Sequence, residues 1–363
     1  MGILRTLFAL MVLVGHAPYG SKWVAGIGGG NAVRMFYMIS GFLISYVLIE
    51  GKSYKTRSSF YINRYLRLFP VYIVVALIAL SGKLLASNCS FKDVYHNSPL
   101  TIVIMLVMTN LFIFGQDWIM FLGVKNHEAL FSANFRDSDI LVYQGLLIPQ
   151  AWTLGVELTF YLVAPFILKS KKIIVTILAI SLLLRLYFLK INLGNDPWGY
   201  RFFPLELSFF LLGALSHQVI MPLYVKYISG ARLRSISIIA TFLFVGISFG
   251  YKFVPLNGTI KVCILTGLFF AALPLTMLFQ NKHKFDKRIG ELSYPIYICH
   301  MICIFAVVTL CSKFGIHNNT FMLTTTILAT LAFAALLNHY VAVPFESIRR
   351  RIKQEGGFIK STK

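Results

Sequence analysis

The chain has 363 residues, 57% of them hydrophobic and 13% charged, and a mean hydropathy of +0.74. Apolar runs recur from end to end, more than a water-soluble core of this size needs, so the composition excludes an ordinary soluble enzyme and points to a polytopic membrane protein. The formal charge of +21 would suggest a nucleic-acid partner in a soluble protein. Here the basic residues sit in short connections between apolar runs, so the charge reports topology and no nucleic acid is expected.

Apolar windows predict about eleven segments, near residues 2–18, 32–49, 69–86, 100–115, 152–168, 173–189, 203–220, 235–250, 259–279, 292–311 and 321–343. The first runs straight into the rest and lacks a small-residue cleavage site, so it is read as part of the mature protein. Connection 50–68 carries Lys52, Lys55, Arg57, Arg64 and Arg67 against Glu50. Lys169, Lys171 and Lys172, then Lys226, Arg232 and Arg234, then Lys282, Lys284, Lys287 and Arg288 against Asp286 and Glu291 mark later basic connections, and the tail carries Arg349, Arg350, Arg351, Lys353, Lys360 and Lys363. All of these are expected in the cytoplasm. Connection 116–151 is acidic, with Asp117, Glu128, Asp137 and Asp139 against Lys125 and Arg136, and is expected outside.

Two apolar segments lie between the basic connection 50–68 and the acidic one, which would return the chain to the wrong face. The weaker, 100–115, is short and carries Asn110 near its end, so it is read as re-entrant or interfacial; three crossings in that interval would also restore parity. The expected fold is all-α and polytopic, about ten transmembrane helices plus one re-entrant or interfacial segment, with no soluble domain. Residues 1–345 form one transmembrane domain, 346–363 a basic cytoplasmic tail, and both termini are cytoplasmic. Cys263, Cys299, Cys303 and Cys311 lie in or beside apolar segments and only Cys89 lies clearly in a loop, so neither a disulfide framework nor a metal spacing is present.

Ionisable residues inside apolar segments are the functional candidates, because each costs about 2.5 to 3.5 kcal/mol to insert. His16 lies eleven residues after Arg5, about 16 Å further along a helix. The first helix runs outward, which puts His16 in the outer half of the membrane. The segment "AWTLGVELTFYLVAPFIL" runs inward and puts Glu157 near its own outer end, flanked by Trp152 and Tyr161. His16 also reads as an interfacial residue, His300 as an interhelical hydrogen bond, and Glu206 as a packing glutamate. His339 near the last helix end, and Cys299 and Cys303 four apart on one face, read as structural.

Five stretches, in order, resemble the integral-membrane acyltransferase-3 family. "GILRTLFALMVLVGH" is similar to its Arg, ten residues, His signature; "FYMISGFLIS" to its aromatic, Ser-Gly-Phe stretch; "FYINRYLRLFPVY" to its Arg-rich entry to the third helix. "AWTLGVELTFYLVAPFIL" is similar to its Trp-Ser-Leu-x-x-Glu-x-x-Phe-Tyr segment and "IGELSYPIYICHM" to its Ser-Tyr-x-x-Tyr-x-x-His segment. Thr153 replaces the usual serine, Leu158 stands where a second acid is common, and the usual Asp-Gly before the first helix is missing.

The resemblance implies an acyl-coenzyme-A-dependent transferase of groups other than aminoacyl groups. Its donor is acyl-CoA, typically acetyl-CoA, with no metal, and its acceptor is a hydroxyl of a glycan or glycolipid such as O-antigen or exopolysaccharide. It is expected in the cell membrane, the inner membrane if bacterial, alone or with a separate periplasmic or pathway partner. His16 would be general base, a role that suits a neutral imidazole, or an acyl-carrying nucleophile. Glu157 would orient His16 or contact the sugar. Arg64 and Arg67, with Arg5 at the same face, would hold donor phosphates with planar cations. Ser40, Gly41 and Ser45 would let a pantetheine arm pass, although a small-residue helix contact needs no ligand. Trp152, Tyr297 and His300 would line the acceptor cavity. A secondary transporter or flippase is the competing class, but no pair of broken helices related by repeat is visible. A non-catalytic component of glycan assembly is another.

Overall fold

A computed structural model describes residues 1–20, 24–50, 54, 56–86 and 90–355. Lys52, Lys55, Cys89, Lys360 and Lys363 lie outside the described residues. The helices in chain order are α1 (Gly2–His16), α2 (Gly29–Ile49), α3 (Arg57–Leu85), α4 (Ser90–Asn97), α5 (Leu100–Phe112), α6 (Trp152–Ile167), α7 (Lys171–Lys190) and α8 (Trp198–Arg201). They continue as α9 (Phe203–Leu215), α10 (Met221–Tyr227), α11 (Gly230–Gly250), α12 (Gly258–Lys282), α13 (Lys284–Lys313), α14 (Asn319–Leu337) and α15 (Val343–Glu355). The protein is an all-α polytopic membrane protein. Among the described residues, eight helical stretches are long and apolar enough to cross a bilayer, and α1 and α5 are shorter apolar helices. The one sheet among the described residues is a hairpin, β1 (Leu122–Lys125) against β2 (Glu128–Phe131), in the acidic connection.

Two expected connections are corrected by the structure. Residues 57–68 and 284–291 are helical, because α3 and α13 extend well past their lipid-matched apolar stretches. A hydropathy window sees only the apolar part of such a helix. The true start of α3 is set by a capping box in which the Thr56 side chain accepts from the Ser59 backbone N–H.

The chain divides into two compact units, Met1–Gly51 with Phe209–Val341, and Lys52–Ser208 with Ala342–Lys363. In the first, α1 and α13 lie parallel and in step. Asp286 accepts from the backbone N–H groups of Gly2 and Ile3, both at 2.7 Å, so a carboxylate on one helix caps the positive end of another. Thr6 donates to the Ile289 carbonyl at 2.8 Å, and His16 meets His300 at the far end. Where both helices span, their parallel course requires an odd number of crossings between them. The sequence carries eight apolar segments between them, so they cannot all cross. Elsewhere in this unit, α2 meets α9 backbone to backbone: a Cβ at Gly41 would fall 1.9 Å from the Phe210 carbonyl oxygen, and one at Gly213 would fall 1.9 Å from that of Met38.

In the second unit, α5 has 13 residues. At 1.5 Å per residue that is about 20 Å, short of a hydrocarbon core of about 30 Å. Its end is tied to the following loop by Asn110, whose amide donates to the Gly145 carbonyl and whose side-chain oxygen accepts from the Leu147 N–H. Tyr72 donates to the Asn110 carbonyl and accepts from Gln116. Beside Gln116 lies Asp117, which is 1% exposed. Its Oδ1 has no hydrogen-bond partner and sits against Gly155, where a Cβ would come within 2.4 Å. Burial pushes this loop carboxyl up to about 7.

The folded state therefore keeps the Asp117 proton where the unfolded chain has released it. Stability should fall as pH rises between about 4 and 7, by up to about 1.4 kcal/mol per pH unit, and level off above. Asp117→Asn should flatten that slope when melting is followed in detergent from pH 5 to 8; an unchanged slope would remove Asp117 as its source.

Candidate active site

His16 closes α1. Ala17 caps the helix in extended geometry, with its N–H still donating to the Leu13 carbonyl, and Pro18 follows, so the backbone leaves the helix here and His16 is exposed. His300 lies within α13 and is fully buried. The rings stack at 5.1 Å with 26° between planes, and His300 Nε2 lies 3.1 Å from His16 Nδ1. The tautomers follow from the third partner. His300 Nδ1 is 2.7 Å from the Tyr297 carbonyl oxygen, which can only accept, so Nδ1 carries the hydrogen. With both rings neutral, His300 Nε2 accepts from His16 Nδ1–H, and the lone pair of His16 lies on Nε2. The chemistry open to this pair is proton acceptance at His16 Nε2, with the resulting imidazolium held by His300.

Arg5 and His16 share a face of α1, since eleven residues at 100° each end about 20° from a whole number of turns. Arg5 is half-buried near the other end of the helix. Tyr297 is buried, 5.9 Å from the His300 ring, and supplies the carbonyl that fixes its tautomer.

The small residues of α2 are engaged in packing. Gly41 faces the Phe210 backbone, and Ser40 is buried beside it. Ser45 is fully buried, 3.0 Å from His217 Nδ1, and accepts from Gln218 Nε2 at 3.0 Å. His217 Nε2 lies 2.9 Å from the Glu50 carboxylate, so Glu50, His217 and Ser45 form a continuous chain of hydrogen bonds. His217 reaches this position from a π turn, Ser216–Ile220, between α9 and α10. The sequence reading missed it, because no periodicity announces one widened helical turn.

The remaining candidates lie in the second unit. Glu157 accepts from the hydroxyl of Tyr161, one turn further along α6. The phenol of Tyr161 lies within the field of Arg67 and Arg64, and its ring meets Phe60 of α3 edge-on. Arg64 is 7% exposed and donates to Tyr54 at 2.9 Å, while its Nε has no partner. Trp152 is buried, with the Arg201 guanidinium 4.4 Å above its ring and Tyr200 at 5.0 Å. Glu206 is fully buried and paired with Arg185 at 2.9 Å, a structural ion pair joining α9 to α7. Among the described residues no three His, Cys, Asp or Glu side chains come together as a metal site.

Comparisons with known proteins point the same way as the five motifs. A Staphylococcus aureus (strain COL) protein named "Putative O-acetyltransferase" is 23% identical over 372 residues, which covers 94% of this chain and 56% of that protein. The chain thus spans about half the length of the curated relatives it matches over most of its own. An uncharacterized protein of Aquifex aeolicus is 27% identical over 161 residues, covering 43% of this chain and 69% of that one. Nodulation protein 10 of Rhizobium leguminosarum bv. viciae is 27% identical over 176 residues, covering 46% of this chain and 43% of its own. No solved structure matches. The family model described as an acyltransferase domain of the acyltransferase-3 type aligns with residues 1–339, nearly the whole chain, and this protein belongs to that family.

Proposed function

We propose that the protein is a membrane O-acyltransferase that carries an acyl group, in the simplest case acetyl, from acyl-coenzyme A to a hydroxyl of a glycan or glycolipid. The observation that carries this reading is the hydrogen-bonded pair of His16 and His300, which leaves a basic nitrogen at the exposed end of α1. In the proposed step, His16 Nε2 takes the acceptor hydroxyl proton as the oxygen attacks the thioester carbonyl. The tetrahedral intermediate collapses, the carbon–sulfur bond breaks, and the thiolate recovers the proton from His16. His300 Nε2 accepts from Nδ1–H throughout, which is the orienting place that Glu157 held in the sequence reading. Glu157, held by Tyr161, is proposed as an acceptor for sugar hydroxyls.

Arg64 and Arg67 are proposed to hold the donor's phosphates, with the basic connections in the cytoplasm and the acidic loop outside. Replacing both with Ala should weaken binding of acyl-coenzyme A to the purified protein by about tenfold or more, and Arg67→Lys should behave in between, because an ammonium lacks the bidentate fork. Wild-type affinity in the double variant would reduce these arginines to topology markers. Orientation is checked separately: a reporter fused after Asp139 should read extracytoplasmic and one after Arg57 cytoplasmic. A cytoplasmic reading at Asp139 would reverse or recount the crossings. The acceptor is found by mass spectrometry of surface glycans with and without the gene, where loss of an ester-linked acyl group is expected.

A further inference from the structure

The basic residues after α14 read in the sequence as topology markers, yet one of them, Arg349, is tied to a neighbouring helix. α15 lies along α3, fastened by a reciprocal pair of bonds: Asn63 Nδ2 donates to the Arg349 carbonyl at 2.7 Å, and Arg349 Nε donates to the Asn63 carbonyl at 3.3 Å. Tyr54 donates to the Asn63 side chain at 3.0 Å and accepts from Arg64. The guanidinium of Arg349 is thereby brought next to the residue that precedes Arg64, and the charges of both Arg64 and Arg67 act on it.

Arg349, bonded to Asn63, and Arg64, the next residue, are two guanidiniums brought to one place, and partial burial strengthens their repulsion. Of the acids on these elements, Glu346 also acts on Arg349 through its charge, and both it and Glu157 hold other partners as well. Glu346 binds Arg350 at 2.8 Å on the same helix, and Glu157 takes the hydroxyl of Tyr161. Arg64, meanwhile, keeps a buried Nε hydrogen unspent, and its guanidinium carbon lies 5.9 and 5.8 Å from the ring centres of Tyr54 and Phe60. A buried donor without an acceptor costs about 1 to 3 kcal/mol, more when charged, so Arg64 Nε favours an added acceptor and its charge favours an anionic one. Planar cations carried on two helices, Arg64 and Arg67 on α3 and Arg349 on α15, suit a ligand with more than one phosphate group, which guanidiniums bind bidentately.

We propose that Arg349 is the third arm of a phosphate-binding site with Arg64 and Arg67, so that α15 takes part in gripping the acyl donor. This rests on the reading of the protein as a coenzyme-A-dependent acyltransferase. An anionic lipid headgroup offers the same phosphate chemistry from another source, and the experiment separates the two.

Coenzyme A binding is measured by calorimetry on the full chain in phosphatidylcholine nanodiscs, with and without phosphatidylglycerol. Arg349→Gln should raise Kd about tenfold or more and make it less sensitive to ionic strength, while Arg351→Gln, an equal loss of charge at an exposed position of α15, should leave both unchanged. If Arg349→Gln does not fold, Arg349→Lys keeps the charge and should bind with an intermediate Kd and wild-type salt sensitivity. Wild-type affinity in the foldable Arg349 variant, with affinity lost in Arg64→Gln, would overturn the role of Arg349 and leave the donor reading standing. No coenzyme A binding by the wild-type protein would overturn both. An Arg349 effect confined to retention of phosphatidylglycerol, with coenzyme A affinity unchanged, would assign the cluster to lipid and overturn the proposal.

Discussion

His16→Ala should lower acyl transfer by about 100- to 10,000-fold in reconstituted membranes, the usual worth of a positioned general base, while expression and donor affinity stay near wild type. The reason lies in the Nε2 of His16 at the exposed end of α1, whose lone pair is set by the chain His16 Nδ1–H, His300 Nε2, His300 Nδ1–H and the Tyr297 carbonyl. His300→Phe keeps a ring in the site but removes the acceptor for Nδ1–H. It should cost about tenfold, one hydrogen bond to a charged donor at roughly 1.5 kcal/mol. The double variant should be scarcely worse than His16→Ala, because groups acting as a unit lose their value together. Acylation at a comparable rate in His16→Ala would end this mechanism, and additive losses would separate the two histidines.

The second large effect is on stability. Gly41→Leu should abolish the folded protein and Gly41→Ala should destabilise it by about 1 to 3 kcal/mol, because the added carbon meets the Phe210 carbonyl, a backbone atom that cannot step aside. The matched control is Gly246, exposed on α11 with nothing within 4 Å of a built Cβ. There Gly→Ala should be neutral or stabilising, since alanine is the better helix former by about 1 kcal/mol. The melting midpoint in detergent reads both, and a stable Gly41→Leu protein would show that α2 and α9 have room to separate.

The membrane helices were legible in the sequence because hydropathy acts over many residues, and the short α5 betrayed itself through its length and Asn110. Partnerships across long separations were not. His16 and His300 both stood out as intramembrane histidines, but nothing local joins residues 284 positions apart. Arg349 was hidden by a sufficient explanation: a basic residue after the last span is already accounted for by topology. Asp117 was hidden in the same way, one acid among several in a loop read as exterior, although its side chain is buried against Gly155. His217 needed a local change of helical pitch that composition does not encode.

The pairing of α1 with α13 turns the first helix into a ruler. Asp286 and His300 are fourteen residues apart on one helix, and Gly2 and His16 are fourteen apart on the other, so the two scales agree mark for mark. Inserting a single residue into α1 between Arg5 and His16 would advance its far end by about 1.5 Å and turn it by about 100°. The capped start or the histidine stack could then be kept, but not both, and Arg5 and His16 would leave their common face. Substitutions of one apolar side chain for another along α1 leave the scale untouched. The property this helix must preserve is a count of residues more than their identity, and a deletion that restores the count within the next turn should rescue an insertion that a change of side chain cannot.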